Sequence, residues 1–133
     1  MNLATLSTLT SLRGRLSAIH AASFFHLFNE EQQSQLAYLL ASLLSPEPGS
    51  IIFGMHSGRP EKGLRVEAVR PNTEAVHMFC HCPESFIALW EEVFGPGKVE
   101  VKAYLEDVER RDFREIASPG TRFYSLFWSV KRL

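Results

Sequence analysis

Three histidines stand where predicted strands end or the lead-in to a helix begins, and each could exchange a proton near neutral pH. His26 follows the apolar run LSAIHAASFF, His56 closes SIIFGMH and His77 opens HMFCHC. Imidazole has the ordinary pKa nearest neutrality, so a convergent set would supply acid–base help. His26, His56 and His77 are therefore the candidate catalytic residues. Ser23, Phe24 and Phe28 lie where the first run delivers its C-terminal loop, the edge that faces ligands in open α/β sheets. With Arg59, whose loop could close over an anionic or phenolic ligand, they are the candidate substrate contacts. A packing role for the two Phe and a helix-start hydrogen bond for His26 stay open alongside.

HMFCHC also gathers Cys80, His81 and Cys82, soft groups of the kind that bind zinc. Structural zinc sites draw ligands from two separated pairs, and no second pair is present, so no metal is expected. A disulfide between cysteines two apart would be strained, so the pair gives no sign of an oxidising compartment. No Ser/His/Asp order or nucleophile elbow stands out, and Arg110, Arg111 and Arg114 are balanced by Glu109, Asp112 and Glu115.

The elements that must hold these residues alternate in type. Leu3, Leu6, Leu9 and Leu12 would line a short leader helix over residues 1–15 that stops at Gly14. Residues 16–25 are apolar on both alternating faces, as in a strand of a parallel sheet covered on both sides. Asn29 and Gln32 then form a capping-box pattern, and Leu36, Leu39, Leu40, Leu43 and Leu44 follow helical spacing. PEPG ends that helix, and SIIFGMH reads as a second strand joined by a right-handed crossover.

Residues 57–76 hold two Pro, two Gly and mixed charge, which predicts a long ordered loop. HMFCHC reads as a lead-in to a helix starting at Pro83, whose apolar side carries Phe86, Ile87, Leu89, Trp90, Val93 and Phe94. KVEVKAYLED alternates, as a half-exposed strand does. ERRDFREIA could form a short helix, and RFYSLFWSV has aromatics on both faces. That pattern predicts an interior strand, antiparallel between the alternating strand and SIIFG.

The bulk numbers suit one globular domain. The chain has 133 residues, 45% hydrophobic and 22% charged, with a formal net charge of −1. Such a length buries a real core. The charge gives no reason to expect nucleic acid or a membrane surface, and no apolar run is long enough to span a bilayer. A Ser-, Thr- and Leu-rich leader without acids before Glu30 has the composition of a presequence as well as of a frayed helix. A cytoplasmic protein is expected.

Four blocks carry a family likeness in order: IHAASFFHLFNEEQQ, LLSPEPGSIIFGMHSGRPEKG, HMFCHCPESFIALWEEVFG and FYSLFWSVKRL. Together they resemble the C-terminal half of class I S-adenosylmethionine-dependent methyltransferases, and among these the small-molecule methyltransferases of fungi. The likeness covers residues 16–133, taken as a single domain. It implies a partial Rossmann-like α/β fold of about four strands, two parallel and then an antiparallel pair. It also implies three earlier strands, a Gly-rich turn and a ribose-binding acid, none of which precedes residue 30 here.

The expectation is thus a truncated methyltransferase-like protein without independent methyl transfer. No cofactor is expected, with S-adenosylmethionine held only if a partner chain completes the site. The bare strand at 16–25 would pair two copies into a homodimer. The expected role is binding, cyclisation or isomerisation of a small secondary metabolite. Two alternatives stand beside it: a regulatory partner of a full-length methyltransferase, and a methyltransferase domain or fragment.

Overall fold

In a computed structural model, residues 8–68, 76–108 and 123–133 are described. The chain runs β1 (Ala18–Ala22), a 3-10 turn (Phe25–Leu27), α1 (Glu30–Leu43), β2 (Ile51–Gly58), β3 (Gly63–Ala68), β4 (Val76–Cys80), α2 (Pro83–Phe94), β5 (Val99–Val108) and β6 (Phe123–Arg132). The main sheet has the order β1-β2-β6-β5. β1 and β2 are parallel, and β6 runs antiparallel to both β2 and β5. The expected α/β architecture is present, with the bulky aromatic strand in the interior.

Local signals explain the helices. Asn29 accepts the Gln32 N–H at 2.8 Å while the Gln32 side chain accepts the Asn29 N–H at 3.1 Å, a reciprocal cap on α1. Pro83 occupies the first turn of α2, where its missing N–H costs nothing, and Gly95 ends that helix at φ 93°. Phe86 and Trp90, one turn apart, are fully buried against the sheet.

Strand parity puts Ile52 and His56 of β2 on the same buried side as Leu126, Trp128 and Val130 of β6. Phe25 fills the centre, edge-on to Phe86 at 5.4 Å and to Trp128 at 5.6 Å. The opposite face is open: Phe53 and Tyr104 are exposed, Tyr104 stacks on Phe127 at 5.3 Å and His20 on Phe53 at 4.7 Å.

Several expectations need correction. The first strand is shorter than 16–25, because Ser23 turns at φ 53° and Phe25 enters the 3-10 turn. Of the leader helix, the described part holds a single 3-10 turn, Thr10–Leu12. Residues 57–76 are not a loop throughout: β2 continues to Gly58, and β3 pairs antiparallel with β4. HMFCHC is accordingly mostly strand, not a helix lead-in, since residues 76–80 find hydrogen-bond partners in β3. ERRDFREIA lies outside the described residues.

Candidate functional site

A cleft of about 450 Å³ opens at the C-terminal edge of β1 and β2. Ser23, His26, His56 and Ser57 line it, with the thioethers of Met55 and Met78. β1 ends at Ala22, and the left-handed turn at Ser23 swings the chain into the 3-10 segment that carries His26. The Ser23 N–H donates to the Met55 carbonyl at 2.7 Å, tying that turn to β2. β2 then delivers His56 and Ser57 to the same edge.

Both histidines are fixed by donors from neighbouring strands. The Ser57 backbone N–H donates to His26 Nδ1 at 3.0 Å. The Trp128 indole N–H donates to His56 Nδ1 at 3.1 Å. Their rings lie 6.3 Å apart, centroid to centroid. Burial, and after it the nearby His26 and His81, pushes His56 down from 6.5 to about 3. Its Nε2 is buried with no hydrogen-bond partner among the described protein atoms.

Of the three expected catalytic histidines, the structure brings two together. His77 is exposed on β4 opposite Val66 and does not line this cleft. The neighbouring Met78 does, because successive strand residues face opposite ways. Among the expected substrate contacts, Ser23 lines the cleft. Phe24 and Phe28 pack edge-to-face at 5.3 Å beside it and are not part of its lining. Arg59 donates from Nη1 to the Leu64 carbonyl at 3.1 Å, which holds its guanidinium across the connection from β2 to β3.

Sequence reasoning missed Ser57, the two Met and Trp128. His81, weighed from sequence only as a metal ligand, is buried with Nδ1 2.8 Å from Ser85 Oγ. Burial pushes His81 down to about 4, with Glu30 raising it and Lys62 lowering it. His81 borders a second cleft of about 400 Å³, at whose rim Lys62 pairs with Glu30 at 2.9 Å. The spacing of His81 and Ser85, one helical turn apart at a helix start, was the available signal. Cys80 and Cys82 are not joined in a disulfide, and Cys82 Sγ accepts the Ser85 N–H at 3.4 Å as the cap of α2. Among the described residues no group of three His, Cys, Asp or Glu side chains is placed to hold a metal ion.

O-methyltransferase phiE of Fungal sp. (strain ATCC 74256) is 32% identical over 109 residues, 81% of this chain and 35% of that protein. Methyltransferases ausD and prhM of Penicillium brasilianum are each 30% identical over 122 residues, 92% of this chain and 42% of theirs. The chain is methyltransferase-like. It spans well under half the length of these relatives. No protein-family model matches it. Within this methyltransferase-like chain, no described helix is long and apolar enough to cross a membrane.

Proposed function

We propose that this methyltransferase-like chain binds a small organic molecule in the cleft below His26 and His56, as the substrate-side part of a methyltransferase scaffold. The observation that carries the reading is the pair itself: two histidines with rings 6.3 Å apart, each oriented by a donor, at the C-terminal edge of parallel strands. His56 is held neutral and acts as a hydrogen-bond donor; His26, half-buried with its Nδ1 accepting from the Ser57 N–H, offers a second ring N–H to a bound molecule. Cyclisation or isomerisation of a secondary metabolite is the chemistry such a pair serves.

S-adenosylmethionine binding is not proposed for the chain alone. The described lining of the cleft offers imidazole, hydroxyl and thioether groups and no carboxylate for a ribose diol. A partner chain, a second copy or a full-length methyltransferase, would have to supply it. Among the described residues β1 has a sheet neighbour on one side only, which favours a homodimer along that edge. Calorimetric titration with S-adenosylhomocysteine tests the cofactor half of this reading. The expected result is no measurable binding, and low-micromolar affinity would overturn it in favour of a methyltransferase domain. Sedimentation at micromolar concentration tests the other half, with a dimer expected and a stable monomer counting against pairing.

A further inference from the structure

The two cleft histidines have fixed tautomers, and this limits what they can bind. An indole N–H only donates, so the Trp128 Nε1 lying 3.1 Å from His56 Nδ1 makes that nitrogen an acceptor. The ring proton of neutral His56 therefore sits on Nε2. That buried N–H has no partner among the described protein atoms, a deficit folded proteins rarely leave unfilled. The same logic places the ring proton of His26 on Nε2, since the Ser57 N–H occupies its Nδ1.

Aromatic rings pack against this imidazole, and the cleft it borders sets thioethers and Val108 beside the hydroxyls of Ser23, Ser57 and Ser125. His56 packs against the rings of Phe86 at 5.1 Å and Phe25 at 5.5 Å, and Met55, Met78 and Val108 border the cleft. A ligand must bring a lone pair to the N–H and carbon to the rings, thioethers and Val108. An ammonium would meet a donor where it needs an acceptor. A carboxylate would lose its hydration against an imidazole that burial keeps uncharged and that offers no counter-charge.

We propose that the cleft recognises a neutral carbonyl group, a ketone or ester borne on apolar or unsaturated carbon, through His56 Nε2–H. Trp128 is the positioning residue that holds the required tautomer. This inference rests on the reading of the cleft as the ligand site and adds the chemical class of the ligand.

Three probes of matched shape test it: acetophenone, benzoate and ethylbenzene, titrated into the full chain while the imidazole ¹⁵N and ¹H resonances of His56 are followed. Acetophenone is expected to shift the Nε2–H signal saturably and to bind roughly tenfold more tightly than either other probe, the worth of one buried hydrogen bond. In Trp128→Phe the His56 ring is expected to redistribute toward the Nδ1–H tautomer, with the advantage of acetophenone over ethylbenzene shrinking several-fold. A purely structural role for Trp128 would leave the tautomer unchanged, which would overturn its assignment. The ranking in the unmodified chain stands whether or not that variant folds. Benzoate equalling acetophenone, or ethylbenzene equalling it, would overturn the inference while leaving the cleft a ligand site. Failure of all three probes to perturb His26 or His56 would overturn the inference and the site together.

Discussion

Trp128 on β6 donates its indole N–H to His56 Nδ1 on β2 across 3.1 Å, joining two strands through side chains as well as through their ladder. The two residues are diagonal neighbours, Trp128 opposite Gly54 and His56 opposite Leu126. Replacing Trp128 by Phe keeps most of the ring volume and strands a buried acceptor. The expected loss is about 1–3 kcal/mol beyond the change in packing. Trp90 is the internal control, because it is equally buried and its Nε1 has no partner among the described protein atoms. Urea unfolding should therefore find Trp128→Phe clearly costlier than Trp90→Phe. Equal losses would mean that the hydrogen bond contributes nothing.

Acid should destabilise the fold earlier than carboxylate titration would. Folded His56 titrates at about 3 and folded His81 at about 4, both lowered chiefly by burial from the ordinary 6.5. The unfolded chain takes up both protons near that ordinary value and the folded chain does not. Stability is thus complete above pH 6.5 and is lost as pH falls toward 4 and then 3. Each histidine contributes a slope of up to about 1.4 kcal/mol per pH unit in its window. Denaturant midpoints between neutral and moderately acid pH would measure it, and His56→Gln should remove close to half of the slope. A flat profile in unmodified protein would show that both rings are protonated when folded.

Ser23 adopts φ 53°, a left-handed backbone that an L side chain enters only at a cost. Its hydroxyl makes a long contact to Met55 Sδ, 3.8 Å, too weak to offset the strain. Ser23→Gly should relieve roughly 1 kcal/mol of it, partly offset by the greater entropy of an unfolded glycine. A raised melting temperature is expected. A lowered one would show that the Ser23 side chain holds the cleft edge together.

The parts of this fold that were readable in sequence are those with a single physical solution. FYSLFWSV is bulky on both faces, which only an interior strand satisfies, and β6 is that strand. Asn29 with Gln32, and Pro83 before an apolar helical side, mark helix starts that packing does not override. The β3–β4 pair was unreadable because GLRVEA mixes charge into its alternation and lies among Pro and Gly.

Missing that pair misplaced His77. Without a strand there is no parity, and parity decides that Met78 faces the cleft while His77 does not. Trp128 as the partner of His56 was beyond sequence reading for a different reason. The two are 72 residues apart, and their contact depends on a β2–β6 register that no local pattern specifies.

Gly54 fixes how closely β1 approaches β2, and through β1 the position of His26. A Cβ on Gly54 would collide with the backbone carbonyl of Ala21 on the neighbouring strand and come within 3.2 Å of the Trp128 ring. Backbone cannot yield as a flexible side-chain tip does, so Gly54→Ala must displace β1. Overpacking of this kind costs about 1–3 kcal/mol. Because Ser23 and His26 follow directly from β1, the displacement should also break the 3.0 Å bond from the Ser57 N–H to His26 Nδ1. Amide hydrogen exchange separates the two effects. Ser57 should lose protection in Gly54→Ala by more than the global destabilisation accounts for, while the β5–β6 ladder loses only the global amount. Uniform loss across both regions would mean that β1 and the cleft do not move as a unit.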